Sequence, residues 1–224
     1  MTTGWYREVL GRLPERARLL DVGIGTGAAL AGCADLVRER ELRIDGLDID
    51  ADYLQRCHRN LARAGLSGRV AAKLASVYDH TDGPYDAVYF SASLMLLPDP
   101  AGAIAHVAKL LTPGGSVFAT QTFHHHRSPV RERLKPLIRH FTTIEFGRVT
   151  YEDEFRGSFA DAGVDIVEMH TMKSSRQSSF RLAVAAAPMV SHGAECVDYP
   201  CPDCSGEEEA VDDRRELDSL RQER

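Results

Sequence analysis

A chain of 224 residues, 43% of them hydrophobic, is enough for one large domain with a buried core, and no run approaches the roughly 20 apolar residues that cross a bilayer. The formal charge of −6 gathers at one end: residues 189–224 hold eleven acidic and four basic side chains, so the remainder is near neutral and lacks the basic footprint of a nucleic-acid binder. Five cysteines, an odd count, do not suggest a disulfide framework, and Arg7, Glu8 and Arg12 interrupt the N-terminal segment where a secretory signal would be apolar, so a soluble cytoplasmic protein is expected.

Short β-rich runs alternate with helical patterns, the signature of crossover units in a mostly parallel sheet, and an α/β fold follows. The first strand spans Arg18 to Val22, and after a glycine turn a helix is predicted from Ala28 to Arg40. A second strand covers Arg43 to Leu47. Asp50 is placed to cap the next helix, whose Tyr53, Leu54, Cys57, Leu61 and Ala64 recur at helical spacing until Gly65. Strands three and four are Arg69 to Leu74 and Tyr85 to Phe90. A helix from Gly102 to Leu111 ends at the breaker Thr112-Pro113-Gly114-Gly115, and strand five runs from Ser116 to Thr122.

The segment 123–149 departs from this alternation and reads as an insertion over one edge of the sheet, with a helix begun by Ser128-Pro129. Thr150 with Asp153 resembles a capping arrangement for a helix ending at Gly163, and strands at Asp165 to His170 and Phe180 to Ala187 close the domain, taken as residues 1–188. Residues 189–224 lose large apolar side chains and gain acidic runs, the composition of a flexible tail.

The chemistry is concentrated in Leu19-Leu20-Asp21-Val22-Gly23-Ile24-Gly25-Thr26-Gly27, an apolar strand running into a glycine-rich turn before a helix. Glycine lets the backbone turn sharply and approach a ligand closely, and a helix end offers unpaired N–H groups suited to an anionic or carboxylate-bearing ligand. Asp48 follows the second strand, where a carboxylate can accept both hydroxyl protons of a ribose, which points to an adenosine-containing cofactor.

With Leu-Asp-x-Gly-x-Gly-x-Gly at 20–27 and Gly-Leu-Asp-Ile-Asp at 46–50, the sequence resembles the class I S-adenosylmethionine-dependent methyltransferases. The runs Tyr85-Asp86-Ala87-Val88, Ser91 to Leu97 and Leu110 to Gly115 are similar to that family's fourth strand, the loop after it and the approach to its fifth, in the same order. The resemblance implies a Rossmann-like, doubly wound, seven-stranded and mostly parallel sheet with helices on both faces and the last strand antiparallel. It places Asp21, Gly23, Gly25, Thr26 and Gly27 around the methionine half of S-adenosylmethionine and Asp48 on the ribose. Ile49 would pack on the adenine, Ser76, Val77 and Tyr78 would lie at its edge, and Ser91 and Ala92 would sit beneath the sulfonium.

For a base, at most one of His124, His125 and His126 is expected to serve, because alignment and desolvation carry much of methyl transfer when the acceptor is already nucleophilic. The loop Ser91-Ala92-Ser93-Leu94 lacks both the Asn/Asp-Pro-Pro-Tyr/Phe arrangement of enzymes that methylate nucleic-acid amino groups and a nucleophilic cysteine. A small-molecule or lipid-like acceptor is therefore expected, ahead of a peptide or protein acceptor or a non-catalytic cofactor-binding partner. The rival is a nicotinamide dinucleotide enzyme, since Gly23-x-Gly25-x-x-Ala28 fits the relaxed fingerprint. No metal site is expected: His192, Cys196, Cys201 and Cys204 form one local cluster, whereas a structural zinc site joins two separated knuckles.

Overall fold

The computed structural model describes residues 2–124 and 150–186. Expectations for His125, His126, the inserted helix and the acidic tail with its cysteines lie outside the described residues. The elements run α1 (Thr2–Arg12), β1 (Arg18–Val22), α2 (Ala28–Ala31), α3 (Ala34–Glu39), β2 (Arg43–Asp48), α4 (Ala51–Arg63), β3 (Val70–Leu74), β4 (Tyr85–Ser91), α5 (Pro100–Ala108), β5 (Leu111–His124), α6 (Glu152–Asp161), β6 (Asp165–Ser174) and β7 (Ser178–Ala186).

The strands form one seven-stranded sheet in the order β3-β2-β1-β4-β5-β7-β6. The pairs β1·β2, β1·β4, β2·β3 and β4·β5 are parallel, whereas β7 lies antiparallel to both β5 and β6. The strand order reverses about β1 and β4, and in open α/β sheets ligands bind beyond the carboxyl ends of the strands at such a switch point. That places the crevice at the turn after Val22 and the loop after Ser91.

Each face of the sheet has its own apolar layer. Tyr6, Val9 and Leu10 of α1 pack with Leu30, Val37, Leu54 and Leu61 over Leu19, Ala87, Tyr89 and Phe118. On the other face Ile104 and Val107 of α5 and Phe155 and Phe159 of α6 cover Leu20, Val88, Phe90 and Val117. The central strands are buried on both sides, and so read as continuous apolar runs rather than alternating ones.

Several boundaries differ from the sequence reading for identifiable reasons. The helix predicted over 28–40 is two short ones, because Gly32 and Cys33 interrupt it where α1 crosses: a Cβ on Gly32 would lie 2.9 Å from Thr3 Cγ2. Strand β5 begins at Leu111 rather than Ser116, and the Pro-Gly-Gly breaker is an irregularity within it, with pairing that jumps from Tyr85↔Leu111 to Ala87↔Ser116. Helix α5 starts earlier, at Pro100, where Asp99 Oδ1 accepts from the Gly102 N–H at 2.9 Å. The capping arrangement expected of Thr150 is replaced by pairing: Thr150 bridges Phe123, its hydroxyl accepts from Gln121 Nε2 at 3.0 Å, and Tyr151 is the N-cap of α6.

Candidate cofactor site

The turn after β1 is braced from three sides. Leu47 at the end of β2 accepts from the N–H groups of Gly23 and Ile24, at 2.8 and 3.0 Å. Asp48 Oδ2 accepts from the Gly25 N–H at 2.8 Å while its Oδ1 accepts from the Asp50 N–H at 2.9 Å. From α4, Asn60 Nδ2 donates to Thr26 O at 2.9 Å. Asp48 thus holds the glycine turn in place, a duty its spacing does not reveal, and a carboxylate with about four lone-pair sites keeps capacity for further donors. Asp50 is the N-cap of α4, its Oδ1 accepting from the Tyr53 N–H at 2.9 Å.

The glycines serve different ends. Gly23, Gly25 and Gly27 all have positive φ, where an L side chain is strained. A Cβ on Gly27 would lie 2.6 Å from Cys57 Sγ and one on Gly23 2.6 Å from Ser93 Cβ, whereas a Cβ on Gly25 meets nothing within 4 Å. Packing requires the first two; the third faces open space.

Beside the turn lies a cavity of about 400 Å3 lined by Thr2, Thr3 and Tyr6 of α1, by Gly23, Ile24, Thr26 and Gly27 of the turn, by Ala28 and Ala29, and by Ser91 at the end of β4. Asp21 lies fully buried in β1 beside it. Its Oδ2 accepts from the Tyr6 hydroxyl at 2.8 Å and its Oδ1 has no partner; Ser91 Oγ, also buried, lies within reach of the Tyr6 and Tyr89 hydroxyls without a well-formed hydrogen bond. Burial pushes the Asp21 carboxyl up to about 7, against the Tyr6 hydrogen bond that lowers it, and the charge of Asp48 adds to the rise.

Part of the donor capacity that the sequence reading reserved for an anion is already used within the protein. The N–H groups of Gly23, Ile24, Gly25 and Gly27 are all engaged within the protein, the last with Ile24 O at 3.1 Å, and α2 is only four residues long. Two carboxylates, Asp21 and Asp48, set the charge instead.

Other expected site residues are placed as follows. Ile49 is 79% exposed beyond β2, near Leu74, the exposed residue paired with Asp48. Ser76 caps a short 3₁₀ turn, its hydroxyl accepting from the Tyr78 N–H; Val77 is in the core; the Tyr78 hydroxyl donates to Asp99 O at 2.8 Å. None of these three lines the cavity, nor does Ala92, whose φ of 58° is left-handed and whose N–H donates to Thr120 O at 2.9 Å. His124 ends β5, its N–H donating to Thr150 O. The wall contributed by α1 escaped the sequence reading, although Trp5, Tyr6, Val9 and Leu10 recur at helical spacing and mark a buried face.

Residues 19–115 match the family described as methyltransferase domain. The chain resembles methyltransferases over this stretch. It is 23% identical over 180 residues to an O-methyltransferase of Penicillium expansum, covering 79% of this chain and 63% of that protein. To a ubiquinone biosynthesis O-methyltransferase of Pectobacterium atrosepticum it is 30% identical over 116 residues, 49% of this chain and 46% of the other. The chain thus spans between about half and two thirds of the length of the curated relatives it matches. The chain also shares its fold with an S-adenosylmethionine-dependent methyltransferase from Thiobacillus denitrificans solved with S-adenosylhomocysteine, at a TM-score of 0.60 and 18% identity over 83% of this chain and 90% of that one.

Proposed function

We propose that the protein transfers a methyl group from S-adenosylmethionine to a small-molecule acceptor. The observation that carries this reading is the charge of the site: a buried Asp21 with an unpartnered oxygen beside a cavity whose glycine turn has already spent four N–H groups. An anionic pyrophosphate is disfavoured beside a buried carboxylate, whereas a ligand bearing an ammonium and a sulfonium is favoured by it. The residues present therefore fit S-adenosylmethionine better than a nicotinamide dinucleotide. The bound cofactor would supply an electrophilic methyl on a positively charged sulfur.

In this reading Asp21, Gly23, Gly25, Thr26, Gly27 and Ser91 hold the amino-acid half and Asp48 the ribose, with Ile49 against the adenine. Gly25 leaves room for close backbone approach. The Asp48 brace keeps the turn formed before ligand arrives, which lowers the ordering cost of binding. Ser76, Val77, Tyr78 and Ala92 shape the loops at the cleft rather than reaching into it, and His124, at the end of β5, is the described residue among the three proposed for proton removal. The Penicillium and Pectobacterium relatives are named O-methyltransferases, which supports a small acceptor carrying a hydroxyl.

The test is turnover: the protein is incubated with methyl-labelled S-adenosylmethionine and a panel of small hydroxylated acceptors, and label is followed into extractable products by mass spectrometry. Label in a small organic product with stoichiometric S-adenosylhomocysteine is expected; label confined to polypeptide would assign a protein acceptor instead.

A further inference from the structure

Helix α1 lies outside the strand-and-glycine motif, yet it supplies Thr2, Thr3 and Tyr6 to the cavity wall. It is fastened firmly. Arg7 pairs with Asp35 on α3, Arg12 with Glu168 on β6, and Cys33 Sγ reaches Thr3 O. The Tyr6 ring stands edge-on to Tyr89 with centroids 5.1 Å apart, so its position is set by packing as well as by its hydroxyl.

That hydroxyl has one donor proton, and it goes to Asp21 Oδ2 at 2.8 Å. Beyond Tyr6, the titratable groups acting on Asp21 or responding to it are Asp48 at the end of β2, Tyr89 on β4 and Cys57 on α4; none is a lysine or arginine. Asp21 is thus an acid held by a phenol, with its second oxygen orphaned and no cation of the protein's own among the described residues. A phenol that donates to a carboxylate keeps acceptor capacity on its oxygen and gains negative character there. Tyr6 lines the cavity while Asp21 sits behind, so the phenol connects the buried charge to the space a ligand would fill.

We infer that Tyr6 is a cofactor-positioning residue, acting with Asp21 on the ammonium group of the ligand's amino-acid end. The inference rests on the cofactor reading above and adds to it a contact from α1 that the glycine motif does not contain. Tyr6 orients the carboxylate, and the two together form an acceptor pair matched to a cation. The adenosine end has no part in this arrangement.

That division supplies the test, in which S-adenosylhomocysteine, which has the amino-acid end, is compared with 5′-methylthioadenosine, which lacks it. Binding of both to the unaltered protein and to Tyr6→Phe is measured by calorimetry near pH 7.5. The variant keeps the ring that packs on Tyr89 and loses only the hydroxyl. We expect affinity for S-adenosylhomocysteine to fall about ten-fold, the scale of a lost charge-assisted hydrogen bond, and affinity for 5′-methylthioadenosine to change less than two-fold. In an Asp21→Asn background the Tyr6→Phe loss should shrink to two- or three-fold, because the pair acts as a unit. Equal losses for both ligands would assign Tyr6 a merely structural role and overturn the inference, as would an unchanged affinity for S-adenosylhomocysteine. If Tyr6→Phe melts without a cooperative transition, Tyr6→Met, which keeps apolar bulk without an oxygen, carries the same comparison. Failure of the unaltered protein to bind either ligand is a different result, and it overturns the cofactor reading on which the inference stands.

Discussion

Asp21 is the residue where stability and function oppose each other. A carboxyl whose pKa is raised on folding binds its proton more tightly in the folded chain than in the unfolded one. Its contribution to stability is therefore full below the ordinary carboxylate range, declines as pH rises toward about 7, and stays lost above that. Above neutrality the ligand-free protein holds a buried charge that only a bound cation would offset. Asp21→Asn removes the penalty, worth up to about 4 kcal/mol for a displacement of this size, while an amide NH2 in place of the orphaned Oδ1 takes back about 1–3 kcal/mol if it finds no acceptor. The ligand-free variant should melt above the parent at pH 8, with the advantage shrinking as pH falls toward 4 and reversing there by the cost of an unsatisfied amide, and it should bind S-adenosylhomocysteine more weakly. Calorimetric melts across that range check the sign; a variant less stable than the parent at pH 8 would mean that Asp21 is paired within the protein after all.

At the scale of elements, the glycine turn separates a requirement of folding from one of binding. Gly27→Ala puts a Cβ against Cys57 Sγ at 2.6 Å and adds left-handed strain, so its melting temperature should fall by more than the strain of about 1–2 kcal/mol alone accounts for. Gly25→Ala carries the same strain into open space: its stability should drop by only about that amount while cofactor affinity drops far more. Paired melts and titrations of the two variants read this directly, and equal stability losses would remove the distinction. The bounds of β1 and the Asp50 cap were legible because each is written locally, in an apolar run ended by glycine and in an acid three residues before an amide it reaches. The wall from α1, the break at Gly32 and the second duty of Asp48 were not, because each depends on which segments the sheet order brings together across 15 to 30 residues of chain. Strand β5 was misplaced for a related reason: Pro113 and Gly114 are turn-formers locally, yet pairing with β4 resumes across them.

For the whole molecule, the sheet order brings Asp48 from the end of β2 to the glycine turn that follows Asp21, joining a turn with four internally satisfied amides to a pair of acids with no cation of the protein's own among the described residues. A nucleotide fold with that charge pattern suits a sulfonium cofactor, and the matched family agrees. The most direct measurement is a pair of calorimetric titrations of the purified protein, one with S-adenosylhomocysteine and one with a nicotinamide dinucleotide, under the same buffer and salt. One-to-one binding of S-adenosylhomocysteine with no heat from the dinucleotide is the predicted result; saturable dinucleotide binding with none of S-adenosylhomocysteine would contradict the account.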